Sequence, residues 1–133
     1  MAINQGFLGQ LSILYVEDDE RIRESFTSIF FKLFKNVTVA IDGEDGLEKY
    51  TELREEKQFD IIISDINMPN LNGDEFIEIL KDTGKLDDLD VVFITSTSKK
   101  QSHMSSVSEH ILGIIYKPFK VDTFVGLLAK IKE

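Results

Sequence analysis

Residues 12–20, Ser-Ile-Leu-Tyr-Val-Glu-Asp-Asp-Glu, pass from four apolar strand formers straight into four consecutive acids. Directly after them, Ile22, Phe26, Ile29, Phe30 and Leu33 recur at helical spacing, with Asp19 placed to cap and Glu20 suited to the positive end of the helix dipole. The stretch is therefore a strand, an acidic turn and a helix. An acidic turn is ordinarily no more than a solvated helix start, so the four acids alone do not decide between that and a cation site.

Outward from this unit, further short apolar runs rich in Val, Ile and Phe occupy 37–41, 59–64, 91–95 and 113–116. Together with 12–16 they mostly do not alternate in polarity, which predicts strands buried on both faces. Helical spacing fills the gaps: Leu47, Tyr50 and Leu53 within 43–57; Phe76, Ile79 and Leu80 within 72–82; Phe124, Leu127, Leu128 and Ile131 within 121–132. Residues 98–110 are crowded with serine and carry only Met104 and Val107 on a helical face, which predicts the weakest helix. The pattern is (βα)₅. Short right-handed crossovers then give an α/β fold, a doubly wound open parallel sheet with helices on both faces. In such sheets function gathers at the carboxyl ends of the strands.

The bulk numbers agree with one domain. The 133 residues suffice for a single core, and 42% hydrophobic with 29% charged residues is a globular composition. One domain over 1–133 is expected, with 1–10 as a leader and the core from about residue 11. A net charge of −9 argues against direct nucleic-acid binding or attachment to anionic lipid. Cysteine is absent, which removes disulfides, thiolate metal sites and a cysteine nucleophile. With no stretch of membrane-spanning length and no basic, apolar leader, a soluble cytoplasmic protein is expected.

At the predicted strand ends stand Glu17-Asp18-Asp19, Asp65, Thr95-Ser96 and Lys117-Pro118. If the first and third strands are neighbours at about 4.8 Å, their carboxylates meet. At an effective dielectric of about 20 and a separation of about 5 Å, each like-charged pair costs about 3 kcal/mol, so a positive group belongs there. An oxygen-only donor set suits a hard cation such as Mg²⁺, with Mn²⁺ as an alternative. Lys117 and the Thr95 hydroxyl suit phosphoryl oxygens, and Asp65 can accept a phosphoryl group as an acyl phosphate. An EF-hand reading of 65–76 fails, because its sixth and twelfth positions are Asn70 and Phe76 rather than Gly and Glu. A nucleotide-binding reading lacks a glycine-rich loop after the first strand.

The ordered motifs ILYVEDDE, DINMPNLNG with its Asp-x-x-Met-Pro-x-x-x-Gly spacing, FITS and YKPF resemble the receiver domain of bacterial two-component response regulators, from about residue 12 to the end. The resemblance implies a flavodoxin-like sheet of strand order 2-1-3-4-5. It implies Asp65 as phosphoacceptor, Asp18 as a direct Mg²⁺ ligand, Glu17 as the second metal-site acid and the Asn67 backbone carbonyl as another ligand. Thr95 and Lys117 match the hydroxyl and lysine that hold phosphoryl oxygens, while Asn67 and Thr97 match positions that influence loss of the phosphoryl group. The family's switch aromatic falls on Ile114, and the aromatic Tyr116 stands directly before Lys117. Coupled inward movement of an aromatic ring is therefore not available at 114. Implied partners are a sensor histidine kinase or a histidine phosphotransfer protein, and a downstream effector or an output domain in a longer chain. A degenerate receiver, acting as a phosphorylation-independent interaction or dimerisation module, is the alternative.

Overall fold

The computed structural model describes residues 8–57, 59–84, 89–95, 111–117 and 121–128. Five parallel strands, β1 (Ser12–Val16), β2 (Asn36–Ala40), β3 (Ile61–Asp65), β4 (Asp90–Thr95) and β5 (Ile111–Tyr116), form one sheet in the order β2-β1-β3-β4-β5. Among the described residues the helices are α1 (Glu20–Leu33), α2 (Gly43–Lys57), α3 (Gly73–Asp82) and α4 (Val121–Leu128). The doubly wound fold and strand order are as expected, and strand boundaries shift by one or two residues. The weak helix at 98–110, Thr97 and the end of the last helix lie outside the described residues. No helix among the described residues is long and apolar enough to cross a membrane.

Side-chain alternation along the strands divides the core. Leu14, Val16, Ile62 and Phe93 pack on one face with Tyr50 of α2 and Phe76, Ile77 and Leu80 of α3. Ile13, Tyr15, Ile63 and Ile94 pack on the other with Phe30 of α1 and Phe124 and Leu128 of α4. Leu8, within the leader stretch, joins this second face. Full burial of both faces holds for β1 and β3 and for β4 beyond its first residue. It does not hold for β2 and β5, which are half-buried or exposed along most of their length because each is an edge strand with a neighbour on one side only.

Local chemistry starts the helices where the site needs them. Asp19 caps α1 by accepting from the Ile22 amide at 3.1 Å. Asp42 caps α2 by accepting the Asp45 amide at 2.8 Å, and Asp45 in turn accepts the Ile41 amide at 2.9 Å. Asn72 precedes α3, its amide bonded to Glu75 at 3.1 Å.

Phe31 and Phe34 fall beside the apolar stripe of α1, where the sequence favours core packing over a patch left for a partner. Phe34 is buried, but Phe31 is 60% exposed, since one residue beyond Phe30 turns a side chain about 100° around the helix and away from the sheet. Phe30 itself sits among the rings of Tyr15 at 4.9 Å, Phe124 at 5.1 Å and Phe34 at 5.8 Å. Replacing Phe30 with Ala removes the ring that joins α1, β1 and α4, and should lower stability by about 3–5 kcal/mol in urea unfolding.

Candidate functional site

Parallel pairing brings the carboxyl ends of β1, β3, β4 and β5 to one edge of the sheet. Glu17 follows the last residue of β1, Asp65 ends β3, Thr95 ends β4 and Lys117 follows β5. Oxygens of Glu17, Asp18 and Asp65 lie within 4.8 Å of one another. Lys117 Nζ donates to Asp65 Oδ2 at 2.9 Å and pairs with Glu17 Oε1 at 3.0 Å. The second contact is a charge pairing without hydrogen-bond alignment, so the buried Glu17 Oε1 has no aligned donor. Thr95 is buried, one residue beyond the Asp65 partner Ile94, and its carbonyl accepts the Lys117 amide at 2.7 Å.

Each acid is held by the backbone around it. The Ile66 amide donates to Asp65 Oδ1 at 2.8 Å and the Asp19 amide to Glu17 Oε2 at 3.2 Å. Arg23 Nη1 on α1 donates to the carbonyls of Glu17 at 2.9 Å and Asp18 at 3.4 Å, which fixes the acidic turn. Gly73 lies so close to β3 that a Cβ there would stand 1.9 Å from the Asp65 carbonyl oxygen. Arg23 and the packing role of Gly73 are not evident from sequence patterns. Arg23 is four residues beyond the cap and reads as a solvated helix charge, and a glycine in a loop motif reads as a turn.

The other described sequence-predicted positions lie in the loop after β3 and on β5. Asn67 is in the loop after β3 with its side chain exposed. Ile114 and Tyr116 on β5 are 37% and 51% exposed and share the face opposite the buried Ile115. Neither ring nor branched chain is among the charged groups at the edge.

Residues 13–129 match the model of the response regulator receiver domain, and the chain belongs to that family. It is 28% identical over 117 residues to a probable transcriptional regulator of Porphyra purpurea, covering 88% of this chain and 54% of that one. The chain thus spans about half the length of that relative. Among solved structures, the N-terminal domain of an uncharacterized Wolinella succinogenes protein is 30% identical with a TM-score of 0.76, over 89% of this chain and 90% of that one. Vibrio cholerae chemotaxis protein CheY4 is 25% identical with a TM-score of 0.77, over 92% and 99%. Receiver domains generally bind Mg²⁺ at an acidic pocket, and they are signalling switches that interact with histidine kinases and effectors.

The donor set here fits such an ion: three clustered carboxylates, one of them with a buried oxygen that lacks an aligned donor. Burial, and next the charge of Asp65, pushes the Glu17 carboxyl up to about 7, with Lys117 pulling the other way. For Lys117, burial favours the neutral amine, but the bond to Asp65 and the charges of Asp65 and Glu17 outweigh it and the net shift is upward. Because folded Glu17 keeps its proton to about pH 7 against an ordinary value of 4.5, the folded state binds more protons between those limits. Stability from this group is full below the lower limit and is lost as pH rises through the upper one. In chelator, urea unfolding should show stability falling from about pH 5 to about pH 8, and Glu17→Gln should remove most of that slope.

Proposed function

We propose that this chain is a cytoplasmic phosphoacceptor switch, which takes a phosphoryl group onto Asp65 from the phosphohistidine of a histidine kinase or phosphotransfer protein. The observation that carries this reading is the sharing of one ammonium, Lys117 Nζ, by Asp65 at 2.9 Å and Glu17 at 3.0 Å at the carboxyl edge of the sheet. That arrangement orients an acceptor carboxylate beside a second acid at a place where only a cation makes the pair tolerable. All six residues assigned to metal and phosphoryl binding are retained, which weighs against a phosphorylation-independent module.

Lys117 and the Ile66 amide each hold one oxygen of Asp65, so the carboxylate is fixed before a donor arrives. In transfer, a bond forms between an Asp65 oxygen and phosphorus while the phosphorus–nitrogen bond to the donor imidazole breaks. The electron pair of that bond stays on the ring nitrogen. Lys117 then exchanges its bond to Asp65 for one to a phosphoryl oxygen, and the Thr95 hydroxyl binds another. Glu17, Asp18, Asp65 and the Asn67 carbonyl would hold Mg²⁺, which when bound neutralises the charge of the phosphoryl oxygens. Mn²⁺ suits the same oxygens. Asn67 and Thr97 modulate how long the acyl phosphate lasts.

Phosphorylation adds about −1.5 to −2 charges at this edge. With Ile114 at the aromatic position, the change reaches a partner, or an output domain of a longer chain, through packing of Ile114 or a shift of the 98–111 segment. Tyr116, exposed on the same face of β5, belongs to the surface so altered.

Incubation with acetyl phosphate should give an acid-labile label on the intact protein, lost in EDTA and regained with Mg²⁺. Asp65→Asn should carry no label. A variant that labels fully would place the acceptor elsewhere.

A further inference from the structure

The loop after β3 is fastened at both ends and again at its apex. At its base the Gly73 amide donates to the Ile66 carbonyl at 2.7 Å. Within it the Met68 amide donates to Asn72 Oδ1 at 3.2 Å. Because a peptide is planar and trans, fixing the Met68 N–H also fixes the Asn67 C=O, which points the opposite way. At the apex, Asn70 adopts a φ of 69°, in the left-handed region. Its Nδ2 reaches out of the loop to Asp42 Oδ2 at 3.0 Å.

Asp42 is a firm anchor. Its other oxygen accepts the Asp45 amide at 2.8 Å, and Asp45 is itself paired with Lys49 at 3.2 Å. Lys49 in turn donates to the Val39 carbonyl on β2 at 2.6 Å. The two corners are also in close backbone contact: a Cβ on Gly43 would stand 2.2 Å from the Leu71 carbonyl oxygen. Asn tolerates the left-handed conformation better than most side chains. Glycine would tolerate it better still, so backbone freedom alone does not require the amide at 70.

We propose that the Asp42–Asn70 hydrogen bond is a strut from the start of α2 to the loop after β3, making both positioning residues for the cation-binding carbonyl of Asn67. The inference rests on the metal-site reading above. Its logic is that a backbone carbonyl in a loop is a useful ligand only if the loop is held before the ion arrives. Groups that orient metal ligands typically carry a large share of the affinity.

The test is Mg²⁺ titration of the metal-free full chain by calorimetry, with Mn²⁺ electron paramagnetic resonance as a second readout. Asn70→Gly keeps the backbone conformation and removes the amide, and it should weaken Mg²⁺ binding about 10-fold. The metal-free unfolding midpoint should stay near that of the unaltered protein. Asn70→Asp sets a carboxylate against Asp42 and should weaken binding further. Adding Asp42→Asn to Asn70→Asp exchanges donor and acceptor and leaves net charge unchanged. Asn at 42 can still cap α2, so this pair should recover affinity to within about 2-fold of the starting protein. Full affinity in Asn70→Gly, or failure of the exchanged pair to recover it, overturns the strut. Absence of Mg²⁺ binding by the unaltered protein overturns the metal-site reading instead.

Discussion

One ammonium group between two carboxylates is the constraint around which this edge of the molecule is built. Asp65 and Glu17 end adjacent strands and are both nearly buried, 7% and 1% exposed. Without Lys117 their charges would face one another away from water; burial and the charge of Asp65 disfavour a charged Glu17, and Lys117 offsets part of that cost. Such a balance gathers two acids and one cation at the carboxyl edge of the sheet in a chain of a family of signalling switches.

The rest of the fold keeps that balance in register. β1 and β3 are apolar on both faces, so helices on each side bury them and their ends cannot slide without turning Ile, Leu and Tyr side chains to the wrong face. Helix α1 leaves the site through the Asp19 cap and reaches back with Arg23, while α3 begins at Gly73 hard against the Asp65 backbone. These contacts act on the main chain that carries the acids. They set position, and the acids and lysine set charge.

The edge strands carry the more exposed part. On β5, Ile114 and Tyr116 lie open on the face opposite Ile115, beyond the register shift at the start of the strand, where Val91 pairs with Ile111 and Val92 with Gly113. The aromatic Tyr116 lies directly before Lys117 in sequence, and position 114 holds a branched aliphatic side chain.

Much of this was legible in the linear chain. The apolar runs and helical stripes gave the order of the described strands and helices, because strand and helix periodicities are local properties of neighbouring residues. The acids, threonine and lysine at successive strand ends were visible too, since a parallel sheet sends every strand end to one edge. What the chain could not reveal were relations between residues far apart: the exposure of β2 and β5 as edges, the outward turn of Phe31, the grip of Arg23 on two carbonyls, and the reach of Asn70 to Asp42. The sequence by itself determined which groups are available and in what order. Only the tertiary structure decided which share an ammonium group or a hydrogen bond, because those interactions depend on distances of a few ångströms across segments separated by tens of residues.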